Sequence, residues 1–319
     1  MQHNVLLFLL IFISIKTFAQ PVPAVDENIP YLVTFGKEGD KAWGDSDFTQ
    51  IIFFSVPKNH TDPIFIRVFD PEVGGDVDEQ KGEWDTRMKY SIYGGKEACS
   101  NEDAMKINLG GNFRSGTLLA TKSFTENARY EQQWYTFGPI NPTEGEYLPD
   151  YGGYIFKVII EGIGGDDGNL YRLFMSQLST ENQPVEGAFA FYFKYKFRLH
   201  DDVNEVSHIY PFIDDKVLAV KQSNFDWDND GFIRIISVAK NGEFLKVSGD
   251  NEWCESMHAV QPAEKNTSYD IQIIKKKNAH IKSNNVVIFL KNQYDELMPF
   301  YSVPIGGIPK YKYSIGIKP

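Results

Sequence analysis

Apolar side chains in this 319-residue chain recur at alternate positions in short runs, and helical i, i+3, i+4 spacing is almost absent. A period of two is the mark of a strand with one buried face. The clearest run is Ala188–Leu199, AFAFYFKYKFRL. Phe191, Phe193, Tyr195 and Phe197 fall on one face of it, with Lys194, Lys196 and Arg198 opposite. Tyr31–Phe35, Phe48–Val56, Ile64–Phe69, Met88–Tyr93, Gly116–Phe124 and Gln132–Phe137 read as further strands, and Gly153–Gly162 with Asn169–Gln177 as a hairpin-like pair. A polar stretch, His200–Val206, then precedes a second set. That set comprises Ser207–Ile213, Lys216–Gln222, Phe232–Val238, Glu243–Val247, Tyr269–Lys275, Asn285–Lys291 and Met298–Pro304, with Tyr311–Ile317 as a candidate last strand. Gly249–Pro262 reads as irregular. Short, evenly spaced strands with Gly, Asp, Asn and Pro turns predict an all-β fold. We expect two tandem antiparallel β-sandwich domains of jelly-roll or Ig-like kind, at residues 31–203 and 204–319.

The first residues, MQHNVLLFLLIFISIKTFAQ, contain an apolar core, Val5–Ile15, that is too short to span a bilayer. Thr17-Phe18-Ala19 resembles a small-residue cleavage site, so residues 1–19 are expected to be a signal peptide and 20–30 an extended, Pro-rich lead-in. No transmembrane segment is expected elsewhere. The predicted location is therefore outside the cytoplasm, extracellular or periplasmic. The formal net charge of −11 disfavours nucleic acid and anionic membranes as partners. Cys99 and Cys254 either pair after export or remain two free thiols.

Acidic loops carry the chemistry. Phe225–Ile236, FDWDNDGFIRII, places Asp226, Asp228 and Asp230 at alternate positions before Gly231. Oxygen ligands so spaced suit one hard cation. An EF-hand would need a carboxylate at loop position twelve, where Ser237 stands, so the expectation is a calcium-binding β-loop. Its ligands would be Asp226, Asp228 and Asp230, with the backbone carbonyl of Phe232. The alternative is a solvated turn whose Asp and Asn side chains cap their own backbone. In the first domain, Asp70, Asp76, Asp78 and Glu79 follow a strand, and Asp166, Asp167 and Asn169 sit in a hairpin. If the two loops meet, they could share a calcium ion; otherwise they are separate exposed loops. Trp43, Trp84, Trp227 and Trp253 lie in or beside loops, either as a sugar-stacking surface or as loop anchors. No HExxH, GxSxG, Walker or dinucleotide motif is present, and no spacing singles out a catalytic carboxylate pair. No catalytic residues are assigned.

The runs FFSVP (Phe53–Pro57), IFIRVFDPEVGG (Ile64–Gly75) and GDDGNLYRLF (Gly165–Phe174) resemble those of the bacterial pre-peptidase C-terminal-like sandwich. More broadly, they are similar to carbohydrate-binding-module-like jelly rolls. The resemblance implies a non-catalytic β-sandwich of the kind appended to secreted enzymes and surface proteins, with a part in binding or maturation. The expected function is a secreted, non-enzymatic binding module, calcium-stabilised, for a glycan or a protein partner. A structural role in cell-envelope assembly is the alternative, followed by a secreted hydrolase.

Overall fold

The computed structural model describes residues 21–105, 108–277, 284–305 and 307. The expected signal peptide at 1–19 and the candidate strand Tyr311–Ile317 lie outside the described residues. The first segment forms β1 (Tyr31–Phe35), β2 (Thr49–Pro57), β3 (Ile64–Phe69), β4 (Arg87–Gly94), β5 (Thr117–Phe124) and β6 (Trp134–Ile140). It continues with β7 (Glu146–Leu148), β8 (Gly153–Gly164), β9 (Gly168–Ser176), β10 (Phe189–Tyr192) and β11 (Lys194–Arg198). The second segment forms β12 (Val206–Ile209), β13 (Phe212–Ile213), β14 (Ala219–Phe225), β15 (Gly231–Ile236), β16 (Asn241–Leu245) and β17 (Trp253–Ala259). It ends with β18 (Thr267–Ser268), β19 (Asp270–Lys275), β20 (Asn285–Asn292), β21 (Leu297–Met298) and β22 (Phe300–Tyr301). Among the described residues the only helical pieces are short 3-10 turns.

The protein is all-β and built of antiparallel sheets. A nine-stranded sheet runs β17-β14-β20-β11-β1-β9-β3-β6, with β21 on β20. A seven-stranded sheet runs β22-β10-β2-β8-β4-β5, with β7 on β8. A four-stranded sheet, β12-β19-β15-β16, and the pair β13-β18 complete the set. The residue 203/204 division falls between β11 and β12. Across it, β20 pairs with β11 from Lys194 to Arg198, and β22 pairs with β10. The long sheet therefore serves both segments. Its Leu32, Val68 and Leu173 share a core with Ile52, Phe54, Val158 and Ile160 of the seven-stranded sheet. Its Val220, Val286, Ile288 and Leu290 belong to the same contiguous core as Ile209, Ile233, Ile235, Ile271 and Ile273 of the four-stranded sheet. Each such side chain, fully buried, contributes roughly 1.5–3 kcal/mol.

The run Ala188–Leu199 departs from its expected register. The strand breaks at Phe193 and passes from the seven-stranded sheet, as β10, to the long sheet, as β11. The alternation slips at that crossing. Phe191 and Phe193 pack in a side cluster with Phe53 and Cys99, whereas Tyr192, Tyr195 and Phe197 enter the main core. Gly249–Pro262 was expected to be irregular, yet it contains β17. This edge strand carries polar or exposed residues at most positions, so alternation does not reveal it. Cys99 and Cys254 are both free, one in the loop after β4 and the other in β17.

Two buried ionisable groups hold these layers. Lys196, on the far face of β11, is paired with Asp45 and Asp47 of the loop between β1 and β2; Lys196 and Asp45 are both 0% exposed. The two lysines beside Asp47, Lys196 and Lys194, hold its carboxyl below the ordinary range against the opposing effect of burial. The lead-in is not simply extended. Val22 bridges to Leu173, and Val25–Glu27 makes a 3-10 turn that buries Glu27. The Glu27 carboxyl accepts from Ala24 N at 2.6 Å, from Tyr195 OH at 3.2 Å and from Tyr192 OH. Burial raises its pKa to about 7, against those hydrogen bonds.

Lys196→Met strands Asp45 in the interior and should cost about 3–5 kcal/mol in urea unfolding. Adding Asp45→Asn and Asp47→Asn should recover part of that loss. A single-variant cost near zero would show that the triad does not hold the loop. Glu27 in the folded protein keeps its proton up to about pH 7, whereas in the unfolded chain a glutamate at its ordinary value of 4.5 loses it earlier. Its contribution is therefore full at pH below 4.5 and fades as pH rises to about 7, a change of about 3 kcal/mol. Glu27→Gln should remove that component from the pH profile of stability, measured by denaturant titration.

Candidate cation sites in the acidic loops

The β3–β6 ladder ends with Phe69 opposite Trp134. The chain leaves β3 through Asp70, in left-handed backbone at φ 56, and enters β6 from the loop that carries Glu131. Neighbouring strand ends thus bring together carboxylates remote in sequence. Asp70, Glu72 and Glu131 each offer an oxygen, all within 4.8 Å of one another. Backbone amides hold them in place: Gln132 N donates to Asp70 Oδ1 at 3.0 Å, Asn127 N to Glu72 Oε2 at 2.5 Å and Asp76 N to Glu131 Oε1 at 3.4 Å. Gly75 makes room, since a Cβ there would lie 1.9 Å from Glu131 Oε2.

Asp70 Oδ2 and Glu131 Oε2 are buried and have no hydrogen-bond partner. Burial raises the Asp70 carboxyl to about 7, with Glu131 and Glu72 adding repulsion and the Gln132 amide opposing it. Burial, then Glu131 and Glu126, raise Glu72 against the Asn127 amide. Like charges held this way favour either protons or a cation. The donor set is all oxygen and anionic, which suits calcium or magnesium rather than a soft metal.

The two first-domain loops do meet, as Glu79 bridges to Gly168 and Asn169 Nδ2 donates to Pro71 O at 3.3 Å. The expected ligands do not form one site, and Glu79 pairs instead with Lys81 and Arg198. Asp76 is exposed, and only its amide reaches Glu131. Asp78 is taken up by Gly74 N at 2.9 Å and Leu170 N at 2.7 Å, fastening the loop to β9. Asp167 gathers with Asp166 and Asp85. Its oxygens, however, accept from the amides of Lys81, Asp85 and Thr86, so it caps the loop backbone. Asn169 Nδ2 also donates to Tyr90 OH. Glu72 and Glu131 were missed as ligands because nothing local marks them; only the strand pairing puts them beside Asp70.

In the second segment the carboxylates that converge are Asp226, Asp228 and Asp250. Asp230 is not in that group. Its amide bonds Trp227 O at 2.8 Å and its carbonyl accepts from Lys276 N at 2.9 Å, which closes the turn. Phe232 lies beyond the loop, within β15 opposite Ile274. Burial, with Asp228 and Asp250, raises Asp226 to about 6. The Asn251 amide and, less strongly, the Gly44 amide oppose this.

The tryptophans divide. Trp227 is 0% exposed, because its ring packs onto Gly231 beneath the loop, and it cannot serve a surface platform. Trp43 is half-buried against Phe35 and under Lys81. Trp84 is half-buried on the main core. Trp253 is 46% exposed beside Phe225 and Phe289.

Glu131→Gln should change sign with calcium. In chelator it relieves repulsion and should leave the melting temperature unchanged or higher. In excess calcium it removes a ligand and should forfeit most of a gain of about 2.7 kcal/mol at hundredfold saturation. The same shift in both buffers would exclude a cation at this site. No family model matches the chain, and no curated protein matches it.

Proposed function

We propose that this chain is a secreted, non-enzymatic binding module whose acidic loops hold calcium and whose ligand is a glycan. The observation that carries the reading is the Asp70–Glu72–Glu131 group, with its two buried oxygens that lack partners. A cation there would fix the loops after β3 and before β6. Four of the carboxyls with raised pKa lie too deep for hydrolysis, whereas Asp78 and Asp166, also raised, are part-exposed. Glu27, Asp70, Glu72 and Asp226 are each at most 1% exposed, so none can reach a sugar chain.

Support for a glycan comes from an open groove of about 490 Å³ lined by Trp253, Phe289, Ser46, Asp47, Asn108 and Lys194. Phe289 is buried, but the half-exposed Trp253 ring is of a kind that stacks on sugars, and carboxylate, amide and ammonium groups bond hydroxyls. A second reading, assembly with a protein partner, draws on β17. It is the edge of the long sheet and exposes Met257 as well as Trp253. An open edge can take up a further strand.

Glycan-array screening in calcium, followed by calorimetry with the best hit, tests the assignment. Trp253→Ala should weaken that hit at least about tenfold, a loss of about 1.4 kcal/mol, and leave the melting temperature nearly unchanged. An array without hits, or a hit indifferent to Trp253→Ala, would reject the glycan surface and favour the strand-edge reading.

A further inference from the structure

We infer that a second divalent-cation site, independent of the Asp70 group, joins the β14–β15 loop to the β16–β17 loop through Asp226, Asp228 and Asp250. Its class of ligand is a hard, oxygen-seeking cation such as calcium. The three carboxylates each place an oxygen within 4.8 Å of the others. A second observation points to an ion rather than to mutual capping. Asp226 is 0% exposed, its Oδ1 accepts from Asn251 N, and its Oδ2 has no hydrogen-bond partner. A buried carboxylate with one bare oxygen beside two more carboxylates is costly unless a positive charge completes it.

The backbone is shaped to hold the group. Asp226, Asp228 and Asn229 take left-handed conformations, at φ 51, 47 and 57. Asp and Asn tolerate this region better than other side chains do. Asp226 N donates to Glu252 O at 3.1 Å, Asn229 N to Ser248 O at 2.8 Å and Trp227 N to Ser248 Oγ at 3.0 Å. These bonds lay the two loops side by side and bring Asp250 to Asp228. Gly231 admits the Trp227 ring below, since a Cβ there would stand 2.2 Å from it.

The position gives the ion a task. β14 and β17 belong to the long sheet, and β15 and β16 to the four-stranded sheet. Both loops are therefore crossings between sheets, and one cation would clamp the two crossings together. A ligand set drawn from two loops also explains why the repeat Asp226-Asp228-Asp230 is not the binding unit.

The test is calcium titration of the whole chain by calorimetry after chelator treatment. Asp250 is exposed, so Asp250→Asn should fold, as checked by circular dichroism. Wild type should bind two ions. Asp250→Asn should bind one at unchanged affinity and the other at least about tenfold more weakly. Glu131→Gln should weaken the complementary ion. Two ions bound by Asp250→Asn at wild-type affinity would overturn the second site, as would a single wild-type ion sensitive only to Glu131→Gln. A single ion sensitive only to Asp250→Asn would instead uphold this site and remove the Asp70 one. No binding at millimolar calcium would reject both.

Discussion

The ladder between β11 and β20 is the interaction on which the rest of the architecture depends. It joins Lys194–Arg198 to Asn285–Phe289 and so makes one sheet of strands from both segments. Without it, β14 and β17 would have no connection to β1 and β9, and the core of the four-stranded sheet would lose its facing layer. The crossing at Phe193 makes the ladder available. By leaving the seven-stranded sheet there, the chain lends one continuous run to two layers. Tyr192 and Tyr195 stack across the break, with ring centroids 3.8 Å apart. Both hydroxyls reach the buried Glu27 carboxyl, so the corner is an aromatic stack with a hydrogen-bonded polar end.

Sheets built this way send their connections to the strand ends, where several loops must share little space. That is where the acidic residues meet. Phe69 opposite Trp134 puts Asp70 near Glu131, and the paired crossings from β14 and β16 put Asp226 near Asp250. Register decides these contacts, and a shift of one residue would turn every side chain of the strand to the other face.

Much of the fold was legible in the chain because alternation is local. Phe48–Val56, Ile64–Phe69 and Gly153–Gly162 need only their own neighbours to read as strands, and all appear as β2, β3 and β8 within a residue or two at most ends. Features that depend on remote partners were not legible. β17 has too little apolar character to show its own period, and pairing with β14 supplies its order. Lys196 looks like an outward charge in AFAFYFKYKFRL, yet the loop that carries Asp45 and Asp47 covers it. Trp227 looks like a loop aromatic, yet Gly231 leaves a slot for its ring. The acidic loops were visible as a class. Their membership was not, because Glu72, Glu131 and Asp250 are ordinary acids until strand pairing places them.

The protein meets the cost of buried carboxylates in different ways, and the comparison bears on the cation sites. Asp45 and Asp47 have Lys196, a cation bound to the chain itself. Glu27 has two tyrosine hydroxyls and an amide, and a pKa of about 7 lets it carry a proton near neutrality. The Asp70 group has part of the second device, since Asp70 too is raised to about 7, but no lysine among the described residues pairs with it. Its amide donors leave two oxygens bare, and Arg172 lies over the rings of Phe69 and Tyr31 and pulls on Asp70 only weakly. A proton could relieve one carboxyl of the three, but mutual repulsion of the remaining pair would persist. A divalent ion would relieve all three at once and draw the flanking loops together, which is why we propose calcium rather than protonation for these clusters.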